Sequence, residues 1–312
     1  MFSYSIFLKF KTGIWVERKQ LRDKPLRGDD EDSQKLTMRR SFHVVVVIII
    51  ASTIQAMVII DEKKEDTFPM TIARKSPIRC EEQDSKETRR VKIPSFLSEA
   101  EVSWLVGIVE RGMATVQDQR GPTIMDPDLG LVLAPGGEVQ QVEAAFTEDE
   151  LAQYGELLKR VHDRTTAIHQ VAKSKLYHTA PTFIARLAPF PPPEERVTQH
   201  VHDEYWHLHC DKNNTEHYDY SALVYLSEYG KDFEGGVFQF EDEDPVNKGK
   251  TKITKVYPEK GTLLTFSSGI ENAHRVTPVT KGCRLAWSLW FTCDPEKKFL
   301  KSRLKFDHDE EL

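Results

Sequence analysis

The sequence predicts an α+β protein: a jelly roll of short strands with flanking helices, preceded by one membrane segment. Three observations predict it. Between Thr182 and Thr292, short apolar runs alternate with Gly, Pro and Asp turn signals, the pattern of a sandwich or jelly roll. Two capping boxes, Ser98–Glu101 and Thr147–Glu150, each open a stretch with helical apolar spacing. One uncharged run, Val44–Ile60, stands apart from an otherwise polar chain.

That run reads VVVVIIIASTIQAMVII. At ~1.5 Å per residue a helix of this length reaches about 26 Å, near the lower limit for crossing a bilayer core. Its β-branched content would suit a buried strand, but strands rarely exceed about ten residues. Arg39 and Arg40 precede it, and Asp61 and Glu62 follow it. The positive-inside rule then places the N-terminus in the cytosol and the bulk of the chain across the membrane. The expectation is a single-pass type II signal-anchor with the folded domain in the ER or Golgi lumen. A cleaved signal peptide starting at Met38 is the alternative, although Ile54 fits poorly three residues before a cut after Ala56.

The chain then divides as follows: 1–42, a cytosolic tail without fixed structure; 43–60, the membrane segment; 61–93, a charge-dense lumenal stalk; 94–180, a helical support region; 181–296, the β core; 297–312, a charged tail. The last four residues, Asp309–Leu312, are a poor version of an ER-retention signal.

Composition excludes several classes. With 39% hydrophobic and 29% charged residues among 312, one sizeable core can form, but a multispan membrane protein cannot. Four cysteines do not make a disulfide scaffold. A net charge of −6 provides no basic field, so no nucleic-acid partner is expected.

The first helix should run from the Ser98 cap to about Arg111, with Val102, Leu105, Val106 and Val109 on one face. The second should run from the Thr147 cap to about Lys173, burying Leu151, Tyr154, Leu158, Val161, Thr165, Ile168 and Val171. Gly121–Val142 reads as loop or short strands. Strands are predicted over Thr182–Ala188, Tyr205–His209, Ser221–Ser227, Gly236–Glu241, Lys252–Tyr257, Thr262–Phe266, His274–Pro278 and Arg284–Thr292.

Histidine is concentrated in this block: His200, His202, His207, His209 and His217, with His274 opening a later strand. In a strand, residues i and i+2 share a face, so His209-Cys210-Asp211 sets an imidazole beside a carboxylate. A further imidazole, His274, completes a two-histidine, one-carboxylate set that leaves positions open on a divalent metal, the facial triad of non-haem Fe(II) oxygenases. His207, His209 and His274 form a rival set without the carboxylate. Alternation along 284–292 puts Arg284, Ala286 and Ser288 on one face. An arginine facing the interior demands an anion, and its fork suits a carboxylate.

The pattern His209-x-Asp211, Leu223–Leu226, Gly235-Gly236-x-Phe238, Pro258-x-Lys260-Gly261, Phe266, His274 and Gly282-x-Arg284 resembles the prolyl 4-hydroxylase-type 2-oxoglutarate/Fe(II) dioxygenases. The likeness covers roughly residues 94–296 and is most specific over 202–293. It implies a distorted double-stranded β-helix, with catalytic iron held by His209, Asp211 and His274. It also implies 2-oxoglutarate bound through Arg284, with Tyr225 adding a hydroxyl. The implied reaction consumes O2, releases succinate and CO2, hydroxylates a protein or peptide substrate, and uses ascorbate to keep the iron reduced.

Two other classes compete: a catalytically silent peptide- or glycan-binding module on the same scaffold, and a zinc hydrolase, which lacks a general base near His209. Cys283 and Cys293 lie about 33 Å apart on one extended strand and cannot bridge. Cys80 could pair with Cys293 in an oxidising lumen. Asn213-Asn214-Thr215 is a glycosylation sequon beside Asp211.

Overall fold

The structure, a computed structural model, describes residues 5–9, 15–19, 71–190 and 205–299, apart from 74, 77, 79, 81–86, 118–119, 136, 245–246 and 248. It divides into two compact units, 1–59 and 60–312. In the first, strands β1 (Ser5–Lys9) and β2 (Trp15–Lys19) pair antiparallel, where the sequence reading expected no fixed structure. The run Val44–Ile60 lies outside the described residues. Among the described residues no helix is long and apolar enough to cross a membrane.

The second unit opens with β3 (Thr71–Ala73) and β4 (Glu87–Ile93). Helix α1 (Glu99–Gly112) follows, then β5 (Pro122–Asp126), β6 (Leu131–Leu133), β7 (Val139–Gln141) and helix α2 (Glu148–His169). Next come β8 (Tyr177–Leu187), a four-residue turn α3 (Asp211–Asn214), β9 (Tyr220–Tyr225), β10 (Phe233–Gly235), β11 (Phe238–Glu243) and β12 (Thr251–Val256). The last four strands are β13 (Leu263–Ser267), β14 (His274–Val276), β15 (Val279–Gly282) and β16 (Arg284–Thr292).

A nine-stranded sheet runs β3-β4-β13-β9-β16-β8-β5-β6-β7, and a three-stranded sheet runs β12-β11-β14. Pairing within both is antiparallel. A cluster of Phe238, Phe240 and Val256 from the small sheet with Tyr225, Leu264, Phe266 and Ala286 from the large one fills the interior. This is the jelly roll that the strand spacing predicts.

The helices cover the other face of the large sheet. Both capping boxes form as the sequence implies: Ser98 and Thr147 accept from the backbone N–H of Glu101 and Glu150, whose carboxylates accept from the cap residues in return. Val102, Leu105, Ile108 and Val109 of α1 and Tyr154, Leu158, Val161 and Ile168 of α2 share one core with Val224, Trp287, Leu289 and Phe291 of the sheet. Fully burying side chains of this size contributes roughly 1.5–3 kcal/mol each. Helix α2 stops at Gln170, which adopts the left-handed conformation (φ 57°), before the expected Lys173.

Three expectations need correction. Residues 61–93 are not a stalk throughout, because β4 pairs with β13 in the main sheet and buries Arg90, Val91, Lys92 and Ile93. Its alternating charges hid this, since two of the buried side chains are cations that find carboxylate partners. Residues 94–180 are not purely helical, because β5–β7 extend the main sheet and β8 begins at Tyr177 rather than after Pro181. Tyr205–His209 is not a strand; only His209 pairs, in an isolated antiparallel bridge to His274.

Candidate metal and co-substrate site

His209 and His274 exchange two backbone hydrogen bonds, of 3.0 and 2.8 Å, across that bridge. This sets their rings 4.5 Å apart between centroids. Asp211 reaches them by a different route from the one the sequence suggested: it opens the turn α3 instead of continuing a strand. Its Oδ1 lies 3.9 Å from Nε2 of each histidine. One ligand atom from each of the three residues falls within 4.8 Å of the others, the only such group among the described residues.

Each partner is oriented by its neighbours. His209 Nδ1 donates to the His207 carbonyl at 3.0 Å, and His274 Nδ1 donates to the Asn272 carbonyl at 2.8 Å. Both rings therefore carry the proton on Nδ1 and aim the Nε2 lone pair at the shared centre, as a metal ligand requires. The Ser221 hydroxyl donates to Asp211 Oδ2 at 2.6 Å and bonds Ser268 at 2.8 Å. His274 stacks on Phe238 with ring centroids 5.0 Å apart. Burial pushes the His274 imidazole below its ordinary range; Asp211 opposes that and His209 adds to it. A neutral imidazole is the form that binds a cation. The rival set is not assembled: His207 offers its carbonyl to His209, and its side chain is exposed. His200 and His202 lie outside the described residues, and Asn213 is exposed on the turn after Asp211.

Deeper in the same interior, Arg284 is 2% exposed. Its Nε and Nη2 have no hydrogen-bond partner, and neither does the Tyr225 hydroxyl. The guanidinium carbon sits 5.5 Å from the Tyr225 ring. Burial lowers the pKa of Arg284 and raises that of Tyr225. Gly236 makes room for this arginine: at φ 60°, a Cβ there would stand 3.0 Å from Arg284 Cδ and 2.9 Å from the Phe233 ring. Leaving a buried guanidinium unpaired costs several kcal/mol, so the cradle is shaped for an anion with two acceptor oxygens.

The residues present thus fit both groups of a 2-oxoglutarate/Fe(II) pair: two imidazoles and a carboxylate for a divalent metal with open positions, and an orphaned fork for a carboxylate. Pattern reading missed Ser221, Asn272 and Phe238 as supports of the triad, because none stands at a telling spacing from the ligands. The Tyr205 hydroxyl accepts from the Val279 N–H at 3.0 Å.

Residues 196–292 match the model of the 2OG-Fe(II) oxygenase superfamily, a family that implies Fe(II) and 2-oxoglutarate. More particularly, the chain is 33% identical over 196 residues to 2-oxoglutarate and iron-dependent oxygenase domain-containing protein 3 of Rattus norvegicus, covering 61% of this chain and 58% of that protein. A shorter stretch of 77 residues is 51% identical to prolyl 3-hydroxylase 1 of Gallus gallus, covering 25% of this chain and 10% of that protein. Among solved structures, a 2OG-Fe(II) oxygenase family oxidoreductase from Burkholderia pseudomallei aligns over 66% of this chain and 84% of its own, at TM-score 0.44 and 15% identity. The chain spans about 58% of the length of the rat relative.

Proposed function

We propose that this protein is a membrane-anchored, lumen-facing dioxygenase that hydroxylates a C–H bond of a protein substrate, with Fe(II) at His209, Asp211 and His274 and 2-oxoglutarate on Arg284 and Tyr225. The observation that carries the reading is the orphaned guanidinium of Arg284, buried in the interior that also holds the triad. A scaffold that only bound a peptide would have no use for it.

Bound there, Fe(II), 2-oxoglutarate and O2 supply the oxidising power that inserts an oxygen atom into a C–H bond, with succinate and CO2 released. The protein's part is placement. The two Nδ1–H bonds hold both imidazoles in one tautomer. Ser221 occupies one lobe of Asp211, so the other faces the metal. Arg284 and Tyr225 offer donors to the far carboxylate of the co-substrate. Phe238, Phe240 and Phe266 line the interior and exclude water around His274. Ascorbate is the proposed reductant for iron oxidised off-cycle.

Two observations support the compartment. Val44–Ile60 has the length and flanking charges of a signal-anchor. Cys80 and Cys293 are joined by a disulfide across 213 residues of sequence, a bond that persists in oxidising compartments. Relatives named prolyl 3-hydroxylases support a protein substrate.

The test is succinate release by the full chain in detergent, supplied with Fe(II), 2-oxoglutarate and a lumenal protein extract, together with +16 Da shifts on the extract's peptides. Binding of 2-oxoglutarate without either product would assign a silent binding module instead. Protease treatment of intact microsomes should spare the domain after residue 61 and remove a tag on residue 1.

A further inference from the structure

Arg90 lies on β4, more than a hundred residues before the segment that matches the oxygenase superfamily. It is 1% exposed, and nothing in its sequence context marks it as functional. Unlike in Arg284, every nitrogen of its guanidinium is engaged. Nε donates to Asn272 Oδ1 at 2.6 Å, and Nη2 donates to the Glu271 carbonyl at 3.0 Å. Nη1 and Nη2 make a bidentate pair with Asp242 at 2.9 and 2.6 Å. The guanidinium carbon stands 4.0 Å over the Phe240 ring.

These contacts converge on His274 from two sides. Asn272 ends the turn that precedes His274, and its carbonyl is the acceptor for His274 Nδ1–H. Its side-chain amide is held in turn by the Ser267 carbonyl and hydroxyl, each at 2.8 Å. Asp242 lies on β11, whose Phe240 is the strand partner of His274. Arg90 therefore ties the turn before His274 to the strand beside it. With the side-chain oxygen of Asn272 anchored by Arg90 and its nitrogen by Ser267, the residue has little freedom to turn its carbonyl away from the imidazole.

We infer that Arg90 is a positioning residue for the metal site, acting through Asn272 on the ring orientation of His274. The inference rests on the triad being the metal site. It makes β4 part of the oxygenase centre: a chain beginning at residue 94 would keep every ligand and lose the brace on one of them.

The test uses the full chain in detergent, stripped of metal and titrated with Mn(II), alongside Arg90→Lys, Asn272→Ala, their double variant, and Trp287→Phe. Trp287→Phe disturbs the helix-side core and serves as the stability control. Arg90→Lys and Asn272→Ala should each weaken Mn(II) about tenfold, and the double variant should be no weaker than the poorer single, because the two act in one chain of contacts. Co(II) absorption bands should shift in both. Trp287→Phe should lower the melting temperature and leave Mn(II) affinity as it was. If Arg90→Lys fails to fold, Asp242→Asn loosens the same guanidinium from its other side and should give the same loss. Mn(II) affinity in Arg90→Lys equal to that of Trp287→Phe at matched stability, or losses that multiply in the double variant, would overturn the role. Should wild type bind no Mn(II), the metal reading itself falls. The brace is then read separately, from the exchange rate of the His274 Nδ1 proton in the metal-free protein. Faster exchange in Arg90→Lys supports the brace; unchanged exchange refutes it.

Discussion

The two faces of β16 are built for different ends. Toward the helices it presents Trp287, Leu289 and Phe291, all fully buried, and the one polar group among them is satisfied: Trp287 Nε1 donates to the Tyr154 hydroxyl at 2.8 Å. Toward the interior, alternation presents Arg284, Ala286, Ser288 and Trp290. Arg284 and Trp290 on that face keep buried nitrogens without partners. Folding alone would select against such orphans, since each costs about 1–3 kcal/mol or more. One strand thus separates a face that closes its own hydrogen bonds from a face that does not.

The comparison breaks most completely at the triad. Asp211→Ala or His274→Ala should abolish stoichiometric Mn(II) or Fe(II) binding, measured by metal analysis after gel filtration, while the helix-side core stays folded. If metal persists in both variants, the interior face has been misread. The next largest effect falls on the opposite face. Trp287→Ala should cost about 3–5 kcal/mol in chemical denaturation and leave 2-oxoglutarate affinity per folded molecule unchanged. A parallel loss of affinity would show that the faces are not independent.

Arg284→Ala should weaken 2-oxoglutarate by roughly tenfold to a hundredfold, the value of one or two charge-assisted hydrogen bonds, with Mn(II) binding kept. Arg284→Lys should fall between, because it retains the charge without the fork. The same Arg284→Ala change should not lower thermal stability, since it removes an unpaired buried charge; a drop of several degrees would mean that the guanidinium has a structural partner.

The smallest effect is a slope. Burial raises Asp126, at the end of β5, to about 7, assisted by the charge of Asp128 and opposed by the Leu129 N–H. Between the ordinary carboxylate value and about 7 the folded state holds a proton that the unfolded state has lost. Stability should therefore decline as pH rises through that window. Asp126→Asn should flatten the decline in melting temperature between pH 5 and 8; an unchanged profile would place the titrating group elsewhere.

Much of this was legible beforehand because it is local. A capping box is written within four residues, and the Ser98 and Thr147 caps formed where they were read. Alternation located most strands of the core, and a short run of histidine and carboxylate pointed to His209 and Asp211, which the structure brings beside His274. The geometry was less legible. His209 and Asp211 were placed together by strand alternation, yet the structure joins them through one bridge residue and a helical turn. The three side chains do come together, but not through the periodicity that grouped two of them.

What the sequence alone determined are features whose partners lie within a turn or a strand pair: helix starts, strand periods, the His-x-Asp spacing, and the uncharged run at 44–60. Only the tertiary structure decided that Arg90 meets Asn272 across 182 residues, that Cys80 meets Cys293, and that a charged strand from the expected stalk enters the main sheet. Period and propensity describe how a residue sits on its own element. They carry no information about a second element that far along the chain. A buried cation such as Arg90 reads as surface until the carboxylate and carbonyls that neutralise it are brought alongside.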